Sequence, residues 1–231
     1  MNESLTNFSG ATDSPVCRRT AETLLRSLAA AQEEKLPFRH WLTRSMLDGD
    51  SAISLAELPV EIPQLDLASG RRETNNGNRL FFDAAGQTKI GAMRAVAEAM
   101  QSPPVVAAFE RLTGLDFSGT YLRIEYCRDP DGFWLEPHTD TGAKRITIMT
   151  FLSTGPESES WGTDIYDRDK RLLGAVPGDF NCGLIFVPGT DTHHGFEKRP
   201  IRSLRRSLML NYVGPEWRSR HELCFPDRPV K

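Results

Sequence analysis

The 231-residue chain carries a formal net charge of −3, with 39% hydrophobic and 26% charged residues. That is the balance of an ordinary globular domain long enough to bury one sizeable core, and the lack of a basic excess argues against nucleic acid or an anionic membrane surface as partner. Cys17, Cys127, Cys182 and Cys224 are scattered without a Cys-x-x-Cys pair, which excludes a zinc knuckle or disulfide framework and fits the reduced thiols of a cytoplasmic protein.

The opening MNESLTNFSGATDSP is polar, without the positive head and apolar run of a signal peptide, so residues 1–15 are expected to be disordered. No stretch reaches the length that spans a bilayer. From Ser14-Pro15 onward, Leu24, Leu25, Leu28 and Ala31 recur at helical spacing until Pro37 interrupts, which predicts one helix and then a second short one. Gly49 to Asn78 reads as irregular connection ending in RRETNNGN, and this exposed loop, residues 71–78, is a candidate lid. A strand is expected from Arg79. Thr88 reads as the cap of a helix with Ile90, Met93, Val96 and Met100 on one face, and Ser102-Pro103 as the start of another that Gly114 ends.

Beyond Gly114 the texture changes. TYLRIEYC, RITIMTFLS, WGTDIYD, CGLIFVPG and RRSLMLNYV are short β-branched and aromatic runs punctuated by Gly, Pro and Asp. Strands without intervening helices predict an antiparallel sandwich or barrel, a group that includes the jelly roll.

The chain has five histidines, His40, His138, His193, His194 and His221. In an extended strand, residues i and i+2 project from one face, so His138 and Asp140 can aim an imidazole nitrogen and a carboxylate oxygen at one point. A third ligand has to come from elsewhere, and His193 and His194, following the strand CGLIFVP, are the histidines in a comparable setting. Two imidazoles and one carboxylate on a triangular face leave three octahedral positions open, which suits non-haem Fe(II). An Arg inside a barrel needs an anion, and its planar fork matches a carboxylate. Alternation places Arg205, Ser207, Met209 and Asn211 on one face of RRSLMLNYV and Arg206, Leu208, Leu210 and Tyr212 on the other. The polar face is expected to line a wet cavity, with Arg206 a solvated residue.

His138-x-Asp140, the later His194 and then Arg205 opening a final core strand resemble the Fe(II)/2-oxoglutarate-dependent dioxygenase superfamily, in particular its prolyl-hydroxylase-like branch. The resemblance covers residues 119–213. It implies a mainly β fold: a double-stranded β-helix (jelly-roll) core at 119–213 buttressed by N-terminal helices and loops at 16–118, with a C-terminal extension at 214–231, all in one domain. It implies Fe(II) held by His138, Asp140 and His194, with His194 chosen over His193 because the family carries an apolar residue two positions on, here Phe196. It also implies 2-oxoglutarate and O₂ as co-substrates, with the distal carboxylate of 2-oxoglutarate reaching Arg205.

Where relatives place a Tyr for that carboxylate this chain has Phe151, which cannot donate a hydrogen bond. Tyr126, Thr147 and Ser207 are the candidates to take over, and Asp164 is a candidate substrate contact. Because Asp140 fills the place that radical halogenases leave open, the implied reaction is hydroxylation of a small molecule or a side chain. The rival readings are a cupin-like metal enzyme that does not use 2-oxoglutarate and a non-catalytic β-sandwich binding module.

Overall fold

A computed structural model describes residues 14–64, 69–71 and 79–231. The expectation of disorder in residues 1–15 therefore falls almost wholly outside the described residues, and so does that of a lid at 71–78. In chain order the elements are α1 (Pro15–Ala29), β1 (Gln32–Glu34), β2 (His40–Thr43), α2 (Gly49–Ala56), β3 (Leu80–Phe81), α3 (Ala84–Lys89), α4 (Gly91–Met100) and α5 (Pro103–Thr113). The strands β4 (Tyr121–Asp129), β5 (Leu135–His138), β6 (Lys144–Phe151), β7 (Thr163–Tyr166), β8 (Leu172–Val176), β9 (Gly183–Phe186), β10 (His194–Phe196) and β11 (Arg205–Val213) follow.

The strands form two antiparallel sheets, a major one in the order β1-β2-β9-β6-β11-β4-β3 and a minor one in the order β5-β10-β7-β8. Side-chain alternation gives the major sheet two apolar faces. Ile124 and Tyr126 of β4, Ile146 and Ile148 of β6 and Leu208, Leu210 and Tyr212 of β11 form one core with Leu24, Leu28, Val96 and Phe109 of the helices. Cys127, Met149, Phe151 and Met209 point the other way and meet Ile165 and Val176 of the minor sheet. The molecule is thus a jelly-roll sandwich with a helical layer on its outer face, the architecture expected.

The N-terminal half departs from the sequence reading in three places. His40–Thr43 is strand β2, paired with β9, because its apolar residues alternate: Trp41 enters the helix-side core, while Phe38 and Leu42 pack into the inter-sheet core. The major sheet therefore recruits β1, β2 and β3 from outside 119–213. Gly49–Ala56 is a helix, started by Asp48, whose carboxylate accepts from the Ser51 amide at 3.1 Å. Thr88 caps nothing; its hydroxyl turns back to the Ala84 carbonyl inside α3, and the extended backbone at Ile90 separates α3 from α4. α5 is as expected: Pro103 starts the helix and Gly114 closes it in the left-handed region, φ +79°.

Residues 214–231 belong to the fold: Leu223, Cys224 and Val230 are buried, and the Cys224 and Val230 amides donate to the carbonyls of Leu122 and Thr120. All four cysteines are free thiols. Among the described residues, no helix is long and apolar enough to cross a membrane.

Candidate metal centre

β5 and β10 are neighbours in the minor sheet with His138 opposite His194, and their rings lie 4.4 Å apart. Each imidazole is fixed by a backbone carbonyl two residues before it: Nδ1 of His138 meets Glu136 O at 2.9 Å, and Nδ1 of His194 meets Thr192 O at 3.0 Å. A carbonyl only accepts, so both Nδ1 atoms carry a proton, which leaves Nε2 as the ring nitrogen turned to the third residue of the cluster. Burial pushes the pKa of His194 from 6.5 down to about 4, which keeps it a neutral donor. Asp140 completes the set: one ligand atom from each of His138, Asp140 and His194 falls within 4.8 Å of the others. Two imidazoles and a carboxylate suit a divalent first-row metal.

The second carboxylate contact layer is also built. Oδ2 of Asp140 accepts from Thr147 Oγ1 at 2.6 Å, and Oδ1 accepts from the buried ammonium of Lys144. His193 lies outside the cluster; its carbonyl accepts from the Tyr166 amide, and its buried Nδ1 has no hydrogen-bond partner.

A cavity of about 30 Å³ leads from His194 to the start of β11, lined by Met149, Thr163, Ser207 and Met209 and closed by Arg79, Asp129 and Arg205. Arg205 is buried, with Nε donating to Trp161 O and Nη2 to Gly162 O, both at 2.7 Å, and Nη1 to Asp129 Oδ2 at 2.5 Å. Three of its five N–H donors are thereby used. Arg79 Nη1 approaches the other oxygen of Asp129 at 3.3 Å, so two guanidinium groups share one carboxylate and the end of the cavity keeps an excess positive charge. The Ser207 hydroxyl and Arg79 Nε are buried there without partners. A larger groove, about 540 Å³, lies between α1, α2 and α4, on elements that contribute nothing to this centre.

Tyr126 and Asp164 sit elsewhere, and Thr147 lies at Asp140 and away from the arginine end. Tyr126 is on the helix-facing side of β4, across from Leu208, with its hydroxyl donating to Leu55 O at 2.7 Å; alternation turns it away from the cavity. Thr147 is inside but pairs with Asn211, six residues along β11 from Arg205, roughly 20 Å at strand rise, so it serves Asp140 and not the arginine end. Asp164 faces out of the sandwich and is bound to Arg199 and to the Glu197 amide. Arg206 is not solvated as expected: Nη1 donates to Leu58 O and to the Tyr126 hydroxyl. The residues that sequence reasoning missed are Arg79, Asp129 and Lys144, while Asn211 was placed on the inner face without a role. Asp129 had a signal, since RIEYCRD places Glu125, Cys127 and Asp129 on one face and a buried Arg205 needs an acid.

No family model matches the sequence, and no curated protein matches it. Solved structures do. A Pseudomonas putida prolyl-4-hydroxylase superposes with a TM-score of 0.51 at 17% identity, over 84% of this chain and 94% of that one. A Trichoplax adhaerens prolyl hydroxylase, in complex with a hypoxia inducible factor oxygen degradation domain peptide fragment, gives 0.55 at 12% identity over 89% and 94%. The chain has the prolyl-hydroxylase fold. Prolyl 4-hydroxylases from Phytophthora capsici share that fold with a TM-score of 0.55 at 14% identity, over 91% of this chain and 68% of theirs. Within the prolyl-hydroxylase fold of this chain, the metal-type donor set and the arginine pair face one interior.

Proposed function

We propose that the protein is an Fe(II)/2-oxoglutarate-dependent oxygenase that hydroxylates a small molecule or an amino-acid-like group. The observation that carries this reading is the convergence of His138, Asp140 and His194, the last of which lines a cavity that Arg205 and Arg79 also line. The donor set suits a divalent cation and the arginines an anion, the two demands of iron with a dicarboxylic co-substrate. When bound, iron with 2-oxoglutarate and O₂ supplies the oxidising chemistry: one oxygen atom enters a substrate C–H bond and the other leaves in succinate as CO₂ is released.

The chain's own residues hold and shield. His138 and His194 are oriented through Glu136 O and Thr192 O, burial keeps His194 neutral, and Asp140 contributes the single carboxylate of the ligand set. The unused donors of Arg205, with Ser207 Oγ and Arg79 Nε, are the groups that receive a distal carboxylate. Phe133, Phe196 and Trp161 pack into one apolar cluster, and the Phe133 and Phe196 rings lie against the Arg205 guanidinium, keeping bulk water from that end. Met149 and Met209, unbranched and adaptable, line the cavity and can adjust to a co-substrate. That a relative of this fold was solved with a peptide fragment supports an amino-acid side chain as one form of the substrate.

The test is succinate formation from 2-oxoglutarate by the purified protein. It is expected to require Fe(II) and to disappear in Asp140→Ala; turnover unchanged by that substitution contradicts the assignment.

A further inference from the structure

The orientation of Asp140 has a source beyond its immediate neighbours. Thr147 Oγ1, which donates to Asp140 Oδ2, itself accepts from Asn211 Nδ2 at 3.0 Å. Asn211 is fully buried, and its amide is fixed from both ends. Its Oδ1 lies 3.5 Å from Nη1 of Arg123, and its Nδ2 donates to the Ile146 carbonyl at 3.2 Å. A guanidinium has only donors and a carbonyl only accepts, so the oxygen has to face Arg123 and the nitrogen Ile146 and Thr147. With Thr147 Oγ1 already accepting from Asn211, its one proton is directed to Asp140.

Arg123 is held just as firmly. Nη2 donates to Glu125 Oε2 and Nε to Glu222 Oε2, each at 2.5 Å, and its guanidinium lies 5.0 Å from the Phe81 ring and 5.1 Å from the Trp217 ring. Glu222 and Trp217 come from the C-terminal segment. We infer that Thr147 and Asn211 are positioning residues of the metal centre, and that the C-terminal segment sets the orientation of Asp140 through Glu222 and Arg123. This rests on the reading of His138, Asp140 and His194 as metal ligands. Groups that orient a ligand in this way govern metal affinity without touching the metal.

The test is Mn(II) affinity of the full chain, measured from the electron paramagnetic resonance signal of the free ion, with folding checked by circular dichroism. Thr147→Val keeps the shape and removes the proton donor; Asn211→Asp keeps the partner of Arg123 and turns an acceptor toward Thr147, drawing its proton from Asp140. Each is expected to weaken Mn(II) binding by about 10-fold or more, while Thr147→Ser retains wild-type affinity. Glu222→Gln is expected to weaken it in the same direction by a smaller factor. If Thr147→Val does not fold, Asn211→Asp carries the test. Wild-type binding of Mn(II) with both variants within about two-fold of it overturns this inference alone. A wild-type chain that binds no Mn(II) overturns the metal-centre reading as well.

Discussion

Burial keeps His194 a neutral imidazole and not a cation. With its pKa held at about 4 against 6.5 in the unfolded chain, the unfolded state takes up a proton as pH falls through that window and the folded state does not. Metal-free stability therefore falls between pH 6.5 and pH 4, by about 3 kcal/mol across the whole window. Urea unfolding of the metal-free protein at pH 7 and pH 5 is expected to show that slope, and His194→Phe to flatten it; an unchanged slope contradicts the neutral, buried state. The neighbouring histidine separates the two candidate ligands. His193→Ala is expected to leave metal affinity near wild type, whereas His194→Ala abolishes it, as read by calorimetric titration; the reverse outcome moves the third ligand to His193.

At the scale of elements, alternation on single strands was the most informative signal in the sequence. It put Arg205, Ser207 and Asn211 on the inner face of β11, where they are, and Arg206 on the other. The same rule applied to β4 would have turned Tyr126 outward, since Cys127 next to it faces in. Tyr126→Phe is accordingly expected to cost about 1–2 kcal/mol of stability through its bonds to Leu55 O and Arg206, with no change in 2-oxoglutarate affinity. A loss of affinity in equilibrium binding would place Tyr126 at the site after all. Gly195, between His194 and Phe196, lets β5 approach β10: a Cβ there would lie 2.7 Å from Leu135 O. Gly195→Ala is expected to push the strands apart, separate His138 from His194 and weaken metal binding together with the unfolding midpoint. Unaltered metal affinity in a folded Gly195→Ala protein speaks against that close approach.

For the whole molecule, the strand-rich second half was legible because its runs are short, β-branched and punctuated, α1 because of Pro15 and its apolar spacing, and α5 because Pro103 and Gly114 mark its ends. The strand expected from Arg79 is β3, but β1 and β2 were not legible, because they are short pieces completed by pairing with each other and with β9 far along the chain, which no local pattern records. Nor did the sequence show the internal charge pattern. Among the described residues, the ion pairs in and beside the barrel set Arg79, Arg123, Lys144 and Arg205 against Glu125, Asp129, Asp140 and Glu222, a balanced set. A divalent cation or a dicarboxylate alone upsets that balance in a buried place, whereas the two together preserve it. Each is therefore expected to tighten the other by about 10-fold or more in calorimetric titrations, equally in both directions by linkage.

The central claim, one interior built for iron at His138, Asp140 and His194 and for 2-oxoglutarate at Arg205, is tested most directly by anaerobic titration of the protein with Fe(II) and then 2-oxoglutarate, followed by visible absorption. The account predicts a charge-transfer band that appears only with both present, saturates at one equivalent and is absent from Asp140→Ala. Iron binding with no spectral response to 2-oxoglutarate, or no iron binding at all, contradicts it.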